Sequence, residues 1–126
     1  MRLLLDTHVF LWWLQDSPRL GPEARRAIAN PKSIVHVSAA SIWEVSIKAA
    51  LGRLELERAR LEDEVVANGF IDLPIQAKHA WQAGQLPLRH DDPFDRMLIA
   101  QARIEALTLV TKDPAFRKYE VALLPA

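Results

Sequence analysis

Leu3, Leu4 and Leu5 form an apolar run that stops abruptly at an acid, Asp6, and a helical pattern begins straight after it. An apolar run without polar alternation is what a strand covered on both faces requires, and such strands belong to parallel α/β sheets. The motif recurs. Ser33–Val37, Phe70–Leu73, Leu107–Val110 and Val121–Leu124 also read as strands, with segments of helical period between them. Strands alternating with helices predict a three-layer α/β/α arrangement around a central, mainly parallel sheet. At 126 residues the chain has room for one substantial core, so residues 1–126 are expected to form a single domain.

The helices are marked by their ends. Asp6 or Thr7 caps a segment carrying Val9, Phe10, Trp12, Trp13 and Leu14, which is dense enough in apolar side chains to be buried on two sides. Leu20–Asn30 is a short helix stopped by Asn30-Pro31. Ser38 caps a helix running to Leu51, with Gly52 after it and an inward set of Ile42 or Trp43, Ile47, Ala50 and Leu51. Leu54–Gly69 is a charged amphipathic stretch, and Ile75–Gly84 a helix with Ala77, Ala80 and Trp81 on its apolar side. Pro93 opens a helix to about Glu105 that carries Leu98, Ile99, Ala102 and Ile104.

Composition excludes several chemistries. There is no cysteine, so disulfide scaffolding, thiolate nucleophiles and cysteine-ligated metal centres are ruled out. Lys+Arg and Asp+Glu are 16 each, so the molecule as a whole does not steer toward nucleic acid, although a local basic patch is compatible with neutrality. Neither a signal peptide nor a run of transmembrane length is present, which makes the cytoplasm the expected compartment and a membrane no expected partner.

The chemistry lies in the acids. Asp6, Asp92 and Asp113 each have an ordinary structural explanation as helix N-caps, the last two followed by proline at the first helical position. Glu44 is harder to explain, because it sits among Ile42, Trp43 and Ile47, where an acid is costly unless paired or bound to metal. Lys48, one turn on, is its simplest partner. Asp95 shares a helical side with Leu98, Ile99 and Ala102. In a parallel sheet Asp6 and Asp113 both follow strands, while Glu44 and Asp95 open crossover helices, so all four belong to the carboxyl edge, where such folds bind ligands. Carboxylates crowded there repel one another, and a hard divalent cation, Mg²⁺ or Mn²⁺, relieves the repulsion. Such a centre suits phosphodiester hydrolysis by metal-activated water. Thr7, Ser38 and Thr111 are short hydroxyls at the same edge, placed to orient a carboxylate or water, or simply to cap helices.

These segments, LLLDTH, SIWEVSIK, DDPFDRMLIAQA and LVTKD, resemble in kind and order those of the PIN-domain ribonucleases, above all the VapC toxins of toxin–antitoxin pairs. The resemblance runs from Leu3 to about Phe116, and DPFDRMLIAQA is its most specific part. It implies a Mg²⁺- or Mn²⁺-dependent endoribonuclease whose catalytic and metal-binding quartet is Asp6, Glu44, Asp95 and Asp113. It gives Asp92 a supporting or capping role, places Thr111 at the family's hydroxyl position, and implies a homodimer inhibited by a small antitoxin. RNA rather than DNA, and toxin rather than housekeeping nuclease, follow from the resemblance alone.

A nuclease also needs cations for the substrate backbone. Lys48, Arg89, Arg96, Lys112 and Arg117 lie near site elements, with Arg96, Lys48 and Lys112 preferred and Arg96 first, since it follows Asp95. The histidines His8, His36, His79 and His90 are scattered without paired ligand spacing, and His90 reads as a solvated loop residue. The first helix and Leu54–Val66 are the expected partner contacts. Two competing functions remain: a phosphotransfer receiver, whose order of acids and lysine differs from this one, and a non-catalytic binding module whose acids only cap helices.

Overall fold

Every strand of the sheet is parallel to its neighbours in the computed structural model, which describes residues 1–52 and 60–126. The elements run β1 (Arg2–Leu5), α1 (Thr7–Leu14), α2 (Pro22–Ala29), β2 (Ile34–Ser38), α3 (Ala39–Ala50), α4 (Leu61–Ala67), β3 (Ile71–Leu73), α5 (Ala77–Gln85), α6 (Pro93–Ile104), β4 (Thr108–Thr111), a 3₁₀ turn Pro114–Lys118, and β5 (Leu123–Pro125). The sheet order is β3-β2-β1-β4-β5, so the first strand lies at the centre. Leu5 is level with Val37 on one side and Val110 on the other. The residues that follow these three strands therefore emerge together at one edge.

The leucine run is covered on both sides. Leu3 and Leu5 pack with Val9, Phe10, Leu20, Val45, Leu61 and Phe70 on one face, whereas Leu4 joins Leu98, Ile99, Leu109, Phe116 and Tyr119 on the other. All three leucines are fully buried, as a non-alternating strand requires. At about 1.5–3 kcal/mol per buried aliphatic side chain, this strand is among the least replaceable segments. Gly52 and Gly69 close α3 and α4 with φ of +71°, a left-handed turn that favours glycine.

Two helical faces differ from expectation. The helix after Ser38 buries Ala40, Ser41, Glu44 and Val45, leaving Trp43 and Leu51 each 60 % exposed. Its apolar count is misleading because a carboxylate and a hydroxyl are held inside by Thr7, which rotates Trp43 outward onto the edge of Phe94. Likewise α5 buries His79 and Ala83, and Trp81 is 69 % exposed. His79 is kept inside because its ring nitrogens bond the Gln76 amide (3.0 Å) and Glu105 (3.0 Å). Of the amphipathic stretch Leu54–Gly69, residues 54–59 lie outside the described residues. Its visible part buries Leu61 and Val65 but turns Val66 to solvent.

Candidate active site

Asp6 is fixed from two directions. Its Oδ1 accepts from the Val9 amide at 2.8 Å, capping α1, and its Oδ2 accepts from the Thr111 hydroxyl at the end of β4. Thr111 Oγ1 in turn accepts from the Asp113 amide at 3.1 Å, so the ends of β1 and β4 are tied into one hydrogen-bonded unit. Glu44 reaches the same edge from the second turn of α3. Its Oε1 accepts from Thr7 at 2.7 Å, and its Oε2 meets Lys48 Nζ at 2.9 Å. Asp95 lies in the first turn of α6, whose N-cap is Asp92, accepting from the Phe94 and Asp95 amides at 2.9 and 3.2 Å. Asp113 caps the 3₁₀ turn through Oδ1, which accepts from Ala115 N at 2.9 Å.

These acids line one cleft of about 120 Å³, together with Thr7, His8, Lys48, Asp92 and Phe116. Asp6, Glu44, Asp95 and Asp113 thus come from four separate elements to one pocket. Capping accounts for one oxygen of Asp6 and one of Asp113, while Glu44 and Asp95 cap nothing. Burial pushes the Asp6 carboxyl above its ordinary value against the pull of Thr111 and Val9, and Asp113 adds repulsion. Burial also raises Asp95 to about 6; His90 opposes that rise, and Asp92 and Glu44 reinforce it. Two carboxyls are therefore held in a place that disfavours their charge, with Lys48 as the basic side chain lining the pocket. Oxygen donors crowded this way fit a hard divalent cation, which takes carboxylate oxygens and water as ligands.

Several expected roles change. Arg96 is not displayed to a substrate. It is 8 % exposed, and its guanidinium donates to the carbonyls of Ala83 and Leu86 (2.9 Å each), Pro87 (3.1 Å) and His90 (3.2 Å), and to Tyr119 Oη (3.4 Å). A fork of fixed donors that satisfies so many oxygens is a clamp on the 86–92 loop. Ser38 is buried away from the cleft, capping α3 and donating to Gln101. The Lys112 ammonium turns toward α1, donating to the Arg19 carbonyl at 3.1 Å and lying 5.7 Å from the Trp12 ring centre. Lys48 faces the acids, although it is paired with Glu44.

His90, which the sequence suggests is a solvated loop residue, is instead half-buried beside Asp95. Its Nε2 is 2.8 Å from Asp95 Oδ2, and its ring lies against Phe116. The signal was its position five residues before Asp95 and next to the most specific motif, which outweighs the lack of a second histidine at ligand spacing. Beside the cleft, one groove is lined by Leu88, Arg89, His90, Asp91 and Lys118, and another by residues including Thr111, Lys112, Asp113 and Arg117.

A parallel sheet with its acids gathered at the carboxyl edge, in this strand order, defines a class of protein, and the comparisons agree. The chain belongs to the PIN domain family, whose model matches residues 3–122. Within that class it is 32 % identical over 119 residues to Ribonuclease VapC22 of Mycobacterium tuberculosis, spanning 93 % of this chain and 91 % of that protein. Its fold is similar to that of VapBC2 from Rickettsia felis, solved bound to a promoter DNA fragment (TM-score 0.72, 14 % identity, 100 % and 99 % of the two chains). It is also similar to FitAcB from Neisseria gonorrhoeae (TM-score 0.67, 23 % identity, 97 % and 96 %). Among the described residues, no helix is long and apolar enough to cross a membrane.

Proposed function

We propose that this chain is a divalent-metal-dependent endoribonuclease and the toxin of a toxin–antitoxin pair, with Asp6, Glu44, Asp95 and Asp113 as its metal-binding and catalytic acids. The observation that carries the reading is the arrival of four carboxylates from four elements in one cleft, two of them with raised proton affinity. The similarity to a protein named as a ribonuclease supports RNA as substrate, and likeness to toxin–antitoxin complexes supports a small antitoxin partner. A homodimer working in the cytoplasm completes the reading.

Mg²⁺ or Mn²⁺ bound by these acids supplies counter-charge for a phosphodiester and an activated water. The chain's own residues prepare the place. Thr111 and the Val9 amide fix both oxygens of Asp6, and Thr7 fixes one oxygen of Glu44, so neither carboxylate has to be ordered when the ion arrives. Lys48 pairs with Glu44 and lines the same cleft, where its ammonium would meet a phosphate brought to the acids. Arg89 and Lys118 on one flank and Arg117 on the other extend positive charge beyond the cleft, as a substrate strand longer than one nucleotide requires.

The test is cleavage of structured RNAs by purified protein with Mg²⁺ or Mn²⁺, with chelator, and with Asp6→Asn. Cutting that requires metal and disappears in the folded variant is expected. Cutting that survives both treatments ends the proposal. The competing binding-module reading predicts that neither ion raises the melting temperature.

A further inference from the structure

We infer that His90 is a direct ligand of the divalent cation, alongside Asp95 and Asp113, and that its imidazole tilts the site toward Mn²⁺-like transition ions over Mg²⁺. The inference rests on the metal-dependent reading above and deepens it. One ligand atom each from His90, Asp95 and Asp113 can be chosen so that all three lie within 4.8 Å of one another. Octahedral ions with bonds of about 2.1 Å hold adjacent ligands roughly 3 Å apart and opposite ligands roughly 4 Å apart. The 2.8 Å between His90 Nε2 and Asp95 Oδ2 is close to the adjacent-ligand spacing. An ion can therefore take the place of the proton the two groups share, with only small movements of either side chain.

His90 is also held ready. Its carbonyl accepts from Arg96 at 3.2 Å and lies 3.4 Å from the Tyr119 hydroxyl, and both groups also bind the Pro87 carbonyl. Its ring packs beside Phe116, whose side chain is buried in the core. A loop histidine with no further task does not need a buried guanidinium and a tyrosine to set its backbone. Imidazole is a poor ligand for Mg²⁺, which prefers oxygen, but a good one for first-row transition ions. A centre that adds one imidazole to these carboxylates is chemically distinct from an all-carboxylate one.

The distinguishing measurement is pulsed electron paramagnetic resonance of Mn²⁺ bound to the full chain, which detects nitrogen coordinated to the ion. Wild-type protein should show imidazole nitrogen coupling, and the coupling should change to the ¹⁵N pattern when histidine alone is labelled. His90→Gln should lose the coupling, bind Mn²⁺ about tenfold more weakly, and narrow the preference for Mn²⁺ over Mg²⁺. His8→Gln, altering the histidine that lines the acidic cleft itself, should keep the coupling. Mn²⁺ bound without nitrogen coupling overturns the inference but leaves the metal-dependent nuclease standing. Coupling that persists in His90→Gln and vanishes in His8→Gln also overturns it. No Mn²⁺ binding at all removes both readings. If His90→Gln does not fold, coupling to labelled histidine that survives in His8→Gln still supports His90, and coupling lost in His8→Gln overturns it.

Discussion

Replacing Asp95 by Asn should make the metal-free protein more stable at neutral pH while abolishing its activity. Burial holds the Asp95 carboxyl at about 6, against 3.8 for the free group. The folded state thus binds this proton more tightly than the unfolded state does. The associated stability is complete below pH 3.8 and is lost as pH rises through 6. By pH 7.5 the full cost is about 3 kcal/mol, reduced to about 2 kcal/mol by solvent at the exposed part of the side chain. Asn carries no such cost, fills the same volume and still presents an oxygen to His90. For a domain of this length, about 2 kcal/mol corresponds to a rise in melting temperature of roughly 8 °C. Thermal unfolding in chelator at pH 7.5 and pH 5 checks this: the gap between variant and wild type should fall by about half at pH 5, where Asp95 is mostly protonated in the folded state but mostly ionised in the unfolded one. Saturating Mn²⁺ should raise the wild type and leave the variant unmoved. A variant no more stable than wild type at pH 7.5, or a gap that ignores pH, would refute the argument that the site's charge is held at a cost.

Arg96→Ala should destabilise the fold by about 3–5 kcal/mol, because it strands several carbonyls in the protein interior; urea unfolding measures it, and a fully stable variant with merely weakened RNA binding would restore the substrate-binding role. Tyr119→Phe removes one hydroxyl from the same loop anchor and should cost about 1–2 kcal/mol by the same measurement. Mn²⁺ at a hundred times its dissociation constant should add about 2.7 kcal/mol to wild-type stability, read as a shift in melting temperature that chelator reverses. Thr111→Val deprives Asp6 of its side-chain donor while preserving the strand; it should lower turnover without unfolding the protein, as kinetics beside circular dichroism will show.

The buried strands β1 and β4, the parallel arrangement and the edge at which the acids gather were legible because burial on both faces leaves a plain mark, an unbroken apolar run. Caps were legible too: Asp6, Ser38, Asp92 and Asp113 all cap as their positions imply. Orientation about the helix axis was harder to read. Around Glu44, apolar counting turns Ile42 or Trp43 inward; Ile42 does pack against the core, but Thr7, 37 residues earlier in the chain, holds Glu44 inside and Trp43 stays exposed. Arg96 was misplaced for a similar reason. Its neighbours in sequence suggest an exposed cation, yet its hydrogen-bond partners are backbone carbonyls, which no side-chain pattern records. His90 depends on that same unrecorded loop geometry. Local periodicity fixes elements, while the non-local polar contacts that aim side chains leave little trace in it.

The central position of β1 has a consequence for synthesis. Residues 2–5 are translated about a hundred residues before one of their two neighbouring strands, 108–111. Asp6 gains the Thr111 hydroxyl, and Asp113 joins it, only after the roughly one hundred residues between them have been made. A nascent chain accordingly carries scattered acids and no assembled cleft until β4 has been made and has docked beside β1.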